Sequence, residues 1–170
     1  MYRINSSGNK LTNDGIKVTY IIINDDDKTM YYSIGGHPAF NINNINDYEL
    51  EINGDYDLIN LDGKFVSDKA VKGNGNIPLT NESFINDALI FKNINNNKII
   101  LNEKGNKVIE FEFPDFDILG VWKPYNDAPF LCLEPWNGIA DYSKKENKEL
   151  KNKEEIRRLK VGAFDTFSYN

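Results

Sequence analysis

The chain has 170 residues, a formal net charge of −6, and 40% hydrophobic and 12% aromatic residues. That length suits one domain spanning 1–170, and 10 Phe, 9 Tyr and 2 Trp provide enough apolar surface for a core, which excludes full disorder. The acidic balance offers no long-range field to a phosphate backbone, so nucleic acid is not an expected partner, and the single cysteine, Cys132, excludes an internal disulfide and a cysteine zinc cluster.

The longest apolar runs, such as 20–23 and 130–133, are too short to cross a bilayer, and the start of the chain lacks a charged segment followed by an apolar one. The expectation is a soluble, cytoplasmic protein with no membrane partner. The abundance of Asn, Ile and Lys reads as compositional bias, although 41–46 and 93–97 mark loops.

Helical periodicity is nearly absent, and short apolar or alternating runs bounded by Gly, Asn, Asp and Pro recur throughout. This pattern predicts an all-β, antiparallel sandwich. The first predicted strand, 16–23, closes on the acidic turn Asn24-Asp25-Asp26-Asp27, with 30–34 as its antiparallel partner. Strands at 48–52 and 56–61 flank Asn53-Gly54-Asp55, and Asp62-Gly63 forms another turn. Strands at 99–102 and 107–113 flank Glu103-Lys104-Gly105-Asn106. In the second, Ile109, Phe111 and Phe113 are expected to face the core while Glu110 and Glu112 face water. Strands follow at 119–122 and 130–133. The latter is apolar at every position, as expected of a strand buried on both faces, and Leu131 and Leu133 join the predicted core. The charged stretch 144–158 reads as a solvated connection to closing strands at 156–159 and 164–169, with no internal repeat and no dividing linker.

The one histidine, His37, follows a strand and a glycine pair and precedes Pro38, which places it at a strand end. Imidazole is suited to moving a proton near neutral pH, and the alternative is a packed histidine hydrogen-bonded to a carbonyl. Glu134 ends the most apolar strand, again before a proline. Burial there raises a carboxylate toward useful basicity, and the alternative is a structural ion pair. Trp122 and Trp136 present aromatic faces for the C–H surface of a ligand, or fill the core. Asp87, among apolar neighbours, suits a substrate hydroxyl or a turn cap, while Asp141 and Asp165 are assigned to turns and surface. Cys132 reads as an inert core thiol. No phosphate loop, dinucleotide fingerprint or metal-ligand spacing is present, so neither metal nor cofactor is expected.

Four segments in order, Gly35-Gly36-His37-Pro38-Ala39-Phe40-Asn41, Asn86-Asp87-Ala88-Leu89-Ile90-Phe91, Leu119-Gly120-Val121-Trp122 and Leu133-Glu134-Pro135-Trp136-Asn137-Gly138-Ile139-Ala140-Asp141, together resemble the aldose 1-epimerase (galactose mutarotase-like) family, in particular its bacterial branch. The resemblance runs from about Leu11 to the C-terminus. It implies a large antiparallel β-sandwich and an aldose sugar or sugar phosphate as partner. It also implies that His37 is the acid, Glu134 the base and Asp87 a substrate-binding residue. Glu134 would take the proton of the anomeric hydroxyl as His37 protonates the ring oxygen, and rotation and reclosure of the open aldehyde would give the other anomer without any cofactor. A non-catalytic sugar-binding or assembly protein on the same sheet is the alternative. Glycoside hydrolysis would need a carboxylate pair, for which Glu134 and Asp87 are the available choice. Family members carry a longer N-terminal portion. The expectation is therefore an N-terminally truncated member with a pocket open on one side and uncovered edges that favour a symmetric homodimer.

Overall fold

A computed structural model describes residues 3–12, 15–142 and 149–170. In chain order the strands are β1 (Arg3–Thr12), β2 (Gly15–Ile23), β3 (Met30–Tyr32), β4 (Ile34–Gly35), β5 (Ala39–Asn41), β6 (Tyr48–Glu51), β7 (Asp55–Asp62) and β8 (Phe65–Asn74). They continue as β9 (Ile77–Pro78), β10 (Leu89–Lys92), β11 (Lys98–Glu103), β12 (Asn106–Glu112), β13 (Ile118–Trp122), β14 (Phe130–Asn137), β15 (Arg157–Leu159) and β16 (Phe164–Tyr169). Short 3-10 turns, such as Asn81–Phe84, fill some connections, and no helix among the described residues is long and apolar enough to cross a membrane.

The largest sheet runs β4-β14-β13-β10-β7-β8, with β5 also paired to β14, and every pairing in it is antiparallel. A four-stranded sheet, β12-β11-β6-β9, and a three-stranded one, β1-β2-β16, contribute the facing side of the core. Phe91, Leu119, Val121, Leu131 and Leu133 from the large sheet join Leu50, Leu101, Phe111 and Phe167 in one buried cluster. Side chains alternate across a strand, so the same strands send a second set the other way. From β13 these are Ile118, Gly120 and Trp122, and from β14 Cys132, Glu134 and Trp136. The registers Ile118↔Trp136, Gly120↔Glu134 and Trp122↔Cys132 set them side by side on the outer face.

The expected alternation of β12 is present, with Phe111 and Phe113 buried and Glu110 exposed. Ile109 is half-buried, because β12 is the edge strand of its sheet. The hairpin expected between 16–23 and 30–34 does not form. Both edges of β2 are taken, by β1 and β16, while β3 pairs with β15 and β4 with β14. Asn24 explains the divergence: fully buried, its Nδ2 donates to the carbonyls of Lys28 at 2.8 Å and Leu159 at 2.9 Å, tying the acidic turn to the end of the chain. The two strands flanking Asn53-Gly54-Asp55 likewise belong to different sheets, so that turn links layers. In the charged stretch, 143–148 lie outside the described residues, and a 3-10 turn at Leu150–Asn152 leads into β15. Asp165 lies within β16, half-buried, and accepts a hydrogen bond from the Tyr32 hydroxyl, rather than sitting in a surface turn. Asp141 is exposed and pairs with Lys153 at 2.5 Å.

Candidate active site

His37 and Glu134 are separated by 97 positions (134 − 37) and meet because two short strands run along one edge of β14. Gly35 pairs with Trp136 and Ala39 with Cys132, so the intervening His37 stands opposite Glu134. Two prolines interrupt the ladder there. Gly36 N–H donates to the Pro135 carbonyl at 3.0 Å and Leu133 N–H to the Pro38 carbonyl at 3.2 Å, but neither proline has an N–H to return the bond. The edge therefore loosens at the histidine, whose side chain is 63% exposed. Its Nε2 lies 3.4 Å from Glu134 Oε1.

The glycine pair has a packing reason. A Cβ on Gly35 would lie 2.7 Å from Trp136 Cδ1, and one on Gly36 would lie 2.6 Å from Tyr169 Cε1 in the core. Gly120, across the strand, would put a Cβ 2.4 Å from Trp136 Cζ2. The Trp136 indole thus lies close over the backbones of β4 and β13, with two glycines making room. It hydrogen-bonds Glu134. Trp122 meets His37 edge to face, with ring centroids 6.2 Å apart.

Glu134 is 7% exposed. Burial raises its pKa above the ordinary value, opposed by His37 and the Trp136 hydrogen bond and reinforced by the nearby charge of Asp87. A carboxylate held this way is a stronger base once ionised. Asp87 sits in the left-handed region at φ 77°, which Asp tolerates better than most residues, after the 3-10 turn Asn81–Phe84. Buried Lys123 anchors that turn: its Nζ donates to Asn81 Oδ1 at 3.0 Å and to the carbonyls of Pro124 and Asn126 at 2.9 and 2.5 Å.

His37, Asp87, Trp122, Glu134 and Trp136 all line one open cleft of about 590 Å³. Its wall also includes Ser33, Asn137 and the stretch 138–140; 137–140 belong to the last of the four resembling segments, but none of these residues carries an expected role. Asn137 is a staple: its Nδ2 donates to the Asp115 carbonyl, and its Oδ1 accepts from Asp117 N–H and Arg157. It is the last residue of β14, the strand that carries Glu134. No Lys or Arg is among the described residues that line the cleft. Cys132 is buried, its thiol pushed up to about 11 by burial, and sits on the same face of β14 as Glu134.

The fold is that of the galactose mutarotase-like proteins. A galactose mutarotase-like protein from Lactobacillus casei superimposes with a TM-score of 0.84 and 27% identity over 96% of this chain and 60% of its own. A galactose mutarotase related enzyme from Lactobacillus acidophilus superimposes with a TM-score of 0.83 and 25% identity over 96% and 58%. The sequence profile of the aldose 1-epimerase family matches residues 8–157, and the chain belongs to that family. Among curated proteins, LacX of Lactococcus lactis subsp. lactis is 27% identical over 165 residues, covering 88% of this chain and 54% of LacX. The chain thus spans between 54% and 60% of the length of these relatives.

Proposed function

We propose that the protein interconverts the α and β anomers of a neutral aldose by acid/base ring opening. The observation that carries this reading is the approach of His37 Nε2 to 3.4 Å from Glu134 Oε1 in a cleft walled by Trp122 and Trp136. A cyclic aldose carries its anomeric hydroxyl and its ring oxygen on the same carbon, so the two groups that move protons to and from them must stand side by side. Glu134 removes the hydroxyl proton while His37 donates one to the ring oxygen, and the ring opens to the aldehyde. Rotation about the bond to C1 followed by the reverse transfers closes the other anomer and restores both groups. The aromatic walls suit the C–H faces of a sugar, and Asp87 is placed to accept from a hydroxyl. Two carboxylates, with no Lys or Arg among the described residues that line the cleft, favour an uncharged sugar over a sugar phosphate.

The test follows mutarotation of several aldoses and their 6-phosphates by polarimetry against a buffer blank. Glu134→Gln and His37→Asn should each slow the reaction by roughly a hundredfold or more with the fold intact. Because the chain spans little more than half of its relatives, a sugar-binding protein without turnover is the second reading. Wild-type protein that binds an aldose but leaves its mutarotation at the buffer rate would establish that alternative.

A further inference from the structure

The acid/base pair has a third neighbour that mutarotation does not use. Cys132 precedes Glu134 by two residues on β14, so both side chains leave the same face of the strand. A ring nitrogen of His37, the Cys132 Sγ and a Glu134 carboxylate oxygen all lie within 4.8 Å of one another. We propose that these three side chains form a site for a thiophilic divalent cation such as Zn²⁺ or Cd²⁺, and that its occupancy shuts off the acid/base pair.

The ligand set argues for the class of ion. Imidazole, thiolate and carboxylate are all zinc ligands, with bonds of about 2.0–2.3 Å, which set ligand atoms about 3.5 Å apart around a tetrahedral ion. The His37 to Glu134 distance of 3.4 Å already matches. The sulfur lies within 4.8 Å of both other ligand atoms, so small side-chain adjustments bring the three to bonding range, and the His37 side chain is largely exposed and has room to turn. Three protein ligands leave a fourth position toward the open cleft, where water completes the shell. A lone carboxylate beside sulfur and nitrogen is a poor site for Mg²⁺ or Ca²⁺, which favour shells of oxygen. On binding, the thiol releases its proton to solvent as the metal–sulfur bond forms. The metal then occupies the lone pairs that His37 and Glu134 need in order to carry protons, and it blocks the place of the anomeric centre. That inhibitory consequence rests on the acid/base reading above, whereas metal binding does not.

The test titrates the reduced, chelator-free full chain with Cd²⁺ and follows the ultraviolet thiolate-to-cadmium charge-transfer band. The expected result is saturation at one equivalent, displacement of Cd²⁺ by Zn²⁺ and none by Mg²⁺. Cys132→Ala should abolish the band. His37→Asn and Glu134→Gln, with circular dichroism confirming their folds, should each weaken binding by roughly tenfold or more. No band, or a band with unchanged affinity in both of the latter variants, overturns the site. In the polarimetric assay Zn²⁺ should slow the wild type, and Cys132→Ala should resist it. Binding without loss of rate overturns the inhibitory part. Cd²⁺ binding by a protein that does not speed mutarotation leaves the metal site standing and removes the acid/base reading instead.

Discussion

Gly120 is paired with Glu134 across β13 and β14, yet the side chain that fills the space above it belongs to Trp136: a Cβ there would lie 2.4 Å from Cζ2 and 2.5 Å from Cη2 of the indole. The ring can occupy this place, in hydrogen-bond contact with the carboxylate, only because position 120 carries no side chain. Gly120→Ala should lift the indole out of place and cost about 1–3 kcal/mol, the usual range for overpacking. Urea unfolding would measure the loss, and the near-ultraviolet circular dichroism of tryptophan should change with it. An unchanged spectrum would mean that the ring tolerates the methyl and that the glycine has no role in holding Trp136.

Glu134 also leaves a signature in stability against pH. Burial holds its folded pKa above the ordinary 4.5, against the pull of His37 and Trp136. The folded chain keeps the proton over a range in which the unfolded chain has lost it. The stability contribution of this group is therefore full below 4.5 and declines as pH rises through the folded value. Glu134→Gln cannot ionise, so in the presence of chelator it should gain stability relative to wild type as pH rises through that window. Denaturation curves at a series of pH values decide the matter, and a constant gap between the two proteins would refute the burial argument.

Lys123 is 2% exposed and gives its three donors to Asn81, Pro124 and Asn126. Lys123→Met keeps the stem but strands those acceptors, at a cost of about 1–3 kcal/mol for a buried unsatisfied group. Because the anchored turn leads to Asp87, under the proposed function the affinity for an aldose should weaken more than the rate at saturation. A parallel loss of both, or of neither, would separate the lysine from that loop.

Leu11 and Ile16 face one another across β1 and β2 and are 80% and 56% exposed. Ile16 also lines a second groove together with Val108 and Phe40. Apolar surface of this kind beside an edge strand favours association with a second copy. Sedimentation should show a concentration-dependent dimer that Leu11→Glu and Ile16→Glu each weaken, and a wild type that remains monomeric at high concentration would exclude it.

Much of this protein is local, and its sequence determines that part. Alternation in β12, the turn at Glu103-Lys104-Gly105-Asn106 and the all-apolar start of β14 specify strands and their inward faces, because side-chain direction along a strand has period two. His37-Pro38 and Glu134-Pro135 mark places where a ladder loses donors, which is why both positions were legible as site candidates. Which strands pair is a different matter. Nothing within 16–34 shows that β2 takes β1 and β16 as neighbours, or that β3 is held for β15, because those partners compete through burial of distant segments and through Asn24 reaching Leu159. The meeting of His37 with Glu134 and Cys132, and the floor that Gly35 and Gly120 give to Trp136, likewise exist only after β4 and β5 dock along β14. Register across segments far apart in sequence is set by the packing of the whole sandwich, so tertiary structure alone decided what shares the cleft.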